Sequence, residues 1–112
     1  MSHFTGAWIE TMRSIPLQAV PSQRMTVLLA DQNCQINVYQ KSTGLYLDLY
    51  LNHDPVSTTV LCLDRVRLIR QKYKGFAGDL CFIDTWGREN PTYTGLGKRF
   101  LLVYIEENEL SG

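Results

Sequence analysis

The sequence predicts an all-β fold: a small antiparallel barrel or sandwich of six to seven strands, carrying a short N-terminal extension. Three observations carry that prediction. Apolar side chains recur at every second position over several short runs, turn-forming residues separate the runs at regular spacing, and no long stretch repeats at a helical period. A chain of 112 residues has room for one hydrophobic core, so residues 1–13 read as an extension or docking arm and residues 14–112 as a single β domain.

Taken in order, residues 7–12 are the first of two stretches with helical character, too short to stand alone in water. Residues 15–20 are expected to form a short edge segment, since Pro16 and Pro21 keep it from a central place in a sheet. Residues 24–30 alternate Met25, Val27 and Leu29, and Asp31-Gln32-Asn33 supplies a turn. Residues 34–40 alternate Cys34, Ile36 and Val38 against polar neighbours, and Lys41-Ser42-Thr43-Gly44 leads into the clearest signal of all. There Leu45, Leu47, Leu49 and Leu51 alternate with Tyr46, Asp48 and Tyr50. A strand puts those four leucines on one face, whereas a helix would scatter them around its circumference. Asn52-His53-Asp54-Pro55 breaks the run, and residues 56–63 are rich in β-branched side chains suited to a pleated surface. Residues 80–85 and 98–105 give two further strands around an irregular loop, 86–97, that holds Gly87, Gly95, Gly97 and Pro91. The acidic end, 105–110, is the second stretch with helical character.

Composition excludes several classes. With 45% hydrophobic and 20% charged residues the chain is an ordinary globular sequence, and its apolar runs fall far short of the roughly 20 residues that cross a bilayer. The first ten residues lack the basic start and apolar stretch of a secretory leader, so the protein is expected to remain in the cytosol. Cys34, Cys62 and Cys81 each sit in an apolar strand pattern and are expected to be buried free thiols. No metal site is expected, because there is no CxxC pair and neither His3 nor His53 lies at ligand spacing from a cysteine.

Catalytic motifs are missing as well. Gly75-Phe76-Ala77-Gly78 lacks the GK[ST] ending and following helix of a phosphate loop and reads as a turn. Nothing in the spacing of Asp48, Asp79, Asp84 and Glu89 selects an acid/base pair, and His53 reads as a solvated turn residue. The sequence therefore predicts neither an enzyme nor a cofactor.

Two features point to binding. Arg65, Arg67, Arg70, Lys72 and Lys74 fall within ten residues free of acids, with Val66, Leu68, Ile69 and Tyr73 interleaved. One reading is a phosphate-tracking strip in a small β-barrel that binds single-stranded nucleic acid. Another is a solvated edge, and the balance of eleven basic and eleven acidic residues favours it. A third is contact with acidic protein surface, for which Glu106, Glu107 and Glu109 at the far end of the chain are a candidate partner in a neighbouring subunit. The second feature is Tyr46 and Tyr50, which stand opposite the leucines where a solvated strand would carry Lys, Thr or Glu. Either a second layer of the domain covers them or they belong to an interface.

A run of short pieces in fixed order also carries a resemblance. These are Ile15-Pro16-Leu17; Pro21-Ser22-Gln23 ahead of a strand; the Cys62 strand followed by Leu68-Ile69; Gly78-Asp79-Leu80 and Asp84; Pro91-Thr92-Tyr93; Leu96-Gly97; and Leu102-Val103-Tyr104. In this order, from Ile15 to Leu110, the chain resembles the baseplate plug proteins of contractile-tailed bacteriophages, of the cyanophage type. The resemblance implies a structural virion component, assembled in the host cytoplasm, that helps to close the tail tube at the central hub. It implies contacts with hub and spike, tube and wedge proteins and a homo-oligomer of three-fold or six-fold symmetry, with no catalytic or cofactor residues to carry over. The extension with Phe4, Trp8 and Ile9 lies outside the matched pieces and is expected to pack on a neighbouring subunit or a hub protein. The basic strip is heavier than the family pattern, which leaves contact with DNA or tape-measure protein in the tube open.

Overall fold

The computed structural model describes residues 13–70 and 75–106. Seven strands follow one another: β1 (Arg13–Ile15), β2 (Ser22–Leu29), β3 (Gln32–Lys41), β4 (Gly44–Leu51), β5 (Asp54–Leu61), β6 (Asp79–Asp84) and β7 (Phe100–Ile105), with one turn of 3-10 helix at Tyr93–Gly95. They form two antiparallel sheets, an up-and-down meander of order β2-β3-β4-β5 and a smaller sheet of order β1-β7-β6. The sheets pack face to face as a sandwich and do not close into a barrel.

Tight turns explain the regularity of the meander. Ala30 and Asp31 (φ 51° and 63°), like Asn52 and His53 (φ 51° and 74°), are two-residue connections with both residues left-handed. This is the geometry whose twist matches antiparallel strands. The first turn therefore lies at Ala30-Asp31 rather than 31–33, and Gln32 and Asn33 already pair with Leu29 and Leu28. For the same reason β5 begins at Asp54, with Pro55 tolerated because β5 is an edge strand. The expected edge segment at 15–20 is confined to Arg13–Ile15, after which the chain turns away at Pro16. Arg13, assigned above to the extension, pairs with Tyr104. The strand expected at 98–105 starts at Phe100, because Lys98 and Arg99 close the 3-10 turn through bonds to the Gly95 carbonyl. The helical stretch at 7–12 lies outside the described residues; Ile105 is the last residue of β7, and residues 107–110 are outside the description.

Period-two alternation fills the space between the sheets. Ile36, Leu47 and Leu49 from the meander and Leu80, Phe82 and Leu102 from the smaller sheet all have 0% exposure. Each such side chain contributes about 1.5–3 kcal/mol on burial. Phe76 and Tyr104 complete one end with an edge-on ring contact at 5.8 Å. Cys34, Cys62 and Cys81 are buried and free, and burial pushes the Cys62 thiol up to about 12 and the Cys81 thiol up to about 11.

Between β5 and β7 the chain relies on buried carboxylates. Asp79 is 1% exposed, and its Oδ1 accepts the backbone N–H groups of Leu68, Ile69 and Leu80 at 3.2, 2.8 and 2.7 Å while Oδ2 accepts that of Arg70 at 2.8 Å. Those bonds hold Arg70 at φ 65° and bend the 68–70 segment onto β6. Just before Asp79, Gly78 has φ +100°, and a Cβ there would stand 2.5 Å from the Ile105 carbonyl oxygen and 2.6 Å from the Tyr104 hydroxyl. Only glycine fits this corner.

Candidate protein interface

The outer face of the meander carries the sequence-predicted tyrosines. Tyr46 and Tyr50 lie on it, half-buried, with Tyr39 paired directly opposite Tyr46. The Tyr39 and Tyr46 rings stack at 6.2 Å, and the Lys41 ammonium stands 5.7 and 5.8 Å from their centroids. Asp48 sits between the tyrosines. Its Oδ1 accepts the Tyr39 hydroxyl at 2.8 Å and the Thr59 backbone N–H at 2.7 Å, and its Oδ2 accepts the Asn37 amide at 3.4 Å. The bond to Thr59 holds a β-branched residue at φ 54°, a conformation such residues rarely adopt. Burial pushes the Tyr39 phenol up. Asn37 Oδ1 is buried without a hydrogen-bond partner among the described residues. Both sheets of the sandwich use their facing sides for the core, and no strand among the described residues packs on this outer face. It is a flat, polar and aromatic surface of the composition that interfaces favour.

Of the basic strip, Arg65, Arg67 and Arg70 are among the described residues. Arg65, left-handed at φ 60°, gives its guanidinium to the Asp64 carboxylate at 2.6 Å and to the carbonyls of Gly87 and Asp84 at 3.2 and 3.3 Å. Arg67 bridges Cys81 through its backbone, and Arg70 turns its Nε back onto the Arg67 carbonyl at 3.0 Å. Leu68 and Ile69 face the core. Lys72 and Lys74 lie outside the described residues, as do Phe4, Trp8 and Ile9. Nothing in these contacts favours the single-stranded nucleic-acid alternative.

A third feature escaped the sequence reading. Trp86 is 73% exposed, on a loop fixed from below by Asp84, which is itself 1% exposed. The Asp84 carboxylate takes Arg99 on both oxygens at 2.8 Å and accepts the backbone N–H groups of Trp86 and Glu89 at 2.9 and 2.7 Å. Chiefly the Arg99 guanidinium, then these N–H groups, hold the Asp84 carboxyl well below the usual carboxylate range against the opposing effect of burial. Asp64 extends the network. It accepts the Asp84 N–H at 2.8 Å, and its own N–H donates to Asn90 Oδ1 at 3.0 Å. The Arg99 guanidinium lies 5.5 Å from the Trp86 ring and 5.0 Å from that of Phe100, over a cleft of about 210 Å³ shared with Thr92, Thr94 and Lys98. The available signal was a tryptophan at the start of a loop otherwise rich in Gly, Pro and polar residues.

Among the described residues no group of three or more His, Cys, Asp or Glu side chains gathers in a way that could hold a metal ion. No helix there is long and apolar enough to cross a membrane.

No curated protein matches the chain. A family model described as cyanophage baseplate Pam3 plug gp18 matches residues 12–107. The match includes every described residue, among them Gly78, Asp79 and Asp84, whose geometry holds the loop-rich half together. The chain belongs to the cyanophage baseplate plug family.

Proposed function

We propose that this protein is a non-enzymatic structural component of a contractile phage tail baseplate, which helps to close the tail tube at the central hub and joins hub, tube and neighbouring subunits. Family membership supports a place in the tail of the virion among other baseplate proteins. The observation that carries the reading to the residue level is the uncovered face of Tyr39, Tyr46 and Tyr50, where aromatic area with polar ends is arranged on a rigid sheet. Such a face gives contact area at little conformational cost. In this reading the protein is a homo-oligomer of three-fold or six-fold symmetry around the tube, the residues ahead of β1 act as the docking arm, and Phe4, Trp8 and Ile9 provide its apolar contact. Residues 65–74 are then available to tape-measure protein or DNA in the lumen.

Two deletions of contact test the reading in assembled particles. Replacing both Tyr46 and Tyr50 by Ser, or removing residues 1–12, is expected to leave a folded protein and to reduce its incorporation into tails at least tenfold, measured by quantitative mass spectrometry of purified particles. Normal incorporation of both variants would count against these surfaces as the baseplate contacts.

A further inference from the structure

Trp86 and the cleft beside it form a preorganised receptor at one pole of the sandwich. The indole is exposed, yet the loop beneath it is held by the bonds of Asp84 and Asp64 and by the Arg65 guanidinium, so little freedom remains to be lost on binding. A large exposed aromatic on a rigid support is the usual centre of a binding hot spot. Around it, Arg88 and Lys98 are exposed cations, Glu89 is an exposed anion, and Arg99 is already paired with Asp84. The occupant is therefore expected to be acidic with an apolar residue for the indole.

The chain itself contains such a segment, and it leaves from the opposite pole. β7 starts at Phe100, beside the cleft, and ends at Ile105, roughly 17 Å away for a six-residue strand. Glu106-Glu107-Asn108-Glu109-Leu110-Ser111-Gly112 follows, with three acids, one leucine and no base. Leu110 is four residues beyond Glu106, a reach of at most roughly 14 Å, so it cannot return along the roughly 17 Å of β7 to the cleft of its own molecule. We propose that residues 106–112 of one copy dock in the Trp86 cleft of the next, with the glutamates facing Arg88 and Lys98 and Leu110 against the indole. The proposal rests on the self-associating plug reading and names its subunit contact. Because the donor segment leaves β7 at the end away from the receptor, the contact is head-to-tail, the type that closes into rings when the rotation allows.

A fluorescein-labelled peptide of residues 106–112, titrated into the full-length protein and followed by anisotropy, tests the contact. Saturable binding is expected, weakened at least tenfold by Trp86→Ala, weakened by Lys98→Glu, and weakened when sodium chloride is raised from about 50 to 500 mM, as screening requires. Both substitutions are at the surface, and circular dichroism verifies that each variant is folded. A peptide in which lysines replace the glutamates should recover affinity for the Lys98→Glu protein. Absence of saturable binding, or binding indifferent to Trp86→Ala, overturns the proposal. Incorporation of the unmodified chain into tail particles is read separately, because its failure counts against the plug reading and leaves the outcome of the peptide titration to stand on its own.

Discussion

The meander and the half of the molecule that follows it reach order by different means. From Ser22 to Leu61 four strands are joined by turns of two residues, and the inward side chains alone determine how the sheet lies on the core. From Cys62 to Arg99 the described residues hold one strand, of six residues, and the rest of them have few ladder partners. There three aspartates replace a ladder: Asp64, Asp79 and Asp84 between them accept seven backbone N–H groups from residues 68–70, 80, 84, 86 and 89. The comparison teaches that irregular chain can be ordered without a ladder when carboxylate acceptors are buried beneath it, since a hydrogen bond to a charged group is worth roughly twice a neutral one.

The largest expected effect is in the carboxylate-held half. Asp79→Ala takes the carboxylate from four backbone donors, of which Leu68 keeps the Leu80 carbonyl at 2.9 Å, and is expected to cost about 4 kcal/mol in urea unfolding, at 1–3 kcal/mol for each unsatisfied buried group and with partial relaxation. Asp79→Asn keeps one acceptor oxygen and should lose less. A cost below about 1 kcal/mol for the alanine variant would mean that Asp79 does not organise this region. In the meander, Leu47→Ala removes a side chain of 0% exposure from the central strand and is expected to cost about 3 kcal/mol by transfer and cavity effects. An effect much smaller than this would place the sandwich core elsewhere.

Acid should separate the two halves further. The folded Asp84 carboxyl is depressed below its unfolded value of about 4, so the unfolded state binds more protons in the range just below that value. The stabilisation by Asp84 is thus fully present above about pH 4 and is lost as pH falls toward the folded value. The urea midpoint is expected to drop on this acid limb, and Asp84→Asn should flatten the drop; an unchanged slope would remove Asp84 from the account. The smallest effect concerns local opening. Cys34 lies in the meander and Cys81 in β6, both buried, and the Cys81 thiol is pushed up to about 11. Alkylation at neutral pH therefore requires local opening, and Cys81 is expected to react a few-fold faster than Cys34 because it lies on an edge strand in a small cluster with Val103 and Ile105, whereas Cys34 has 0% exposure in the main core. Equal rates would show that both halves open together.

These differences also decide what was legible in the sequence. The strand of Leu45, Leu47, Leu49 and Leu51 was plain because every second residue meets the same core, and β2 and β3 were visible by the same rule. The extra residue assigned to the first turn arose because Asp31-Gln32-Asn33 has turn chemistry throughout, while strand twist selects two residues. Tyr46 and Tyr50 were legible as a second face because they broke the expected polar pattern. Asp79 and Asp84 were seen only as carboxylates of no particular spacing, since their partners are backbone groups, which have no signature in side-chain order. Trp86 was hidden for a related reason. Its loop reads as irregular from Gly87 and Pro91, and the network that makes it rigid joins residues as far apart as Asp64 and Asn90.

The outer edge of β5 has a consequence for crowded assemblies. Pro55 lacks an N–H there, Thr59 is held left-handed by Asp48, and the register with β4 shifts twice between Leu47 and Tyr50. An edge interrupted in this way is a poor template for a foreign strand. Identical chains at high local concentration are thereby discouraged from zipping together through this side into fibrils.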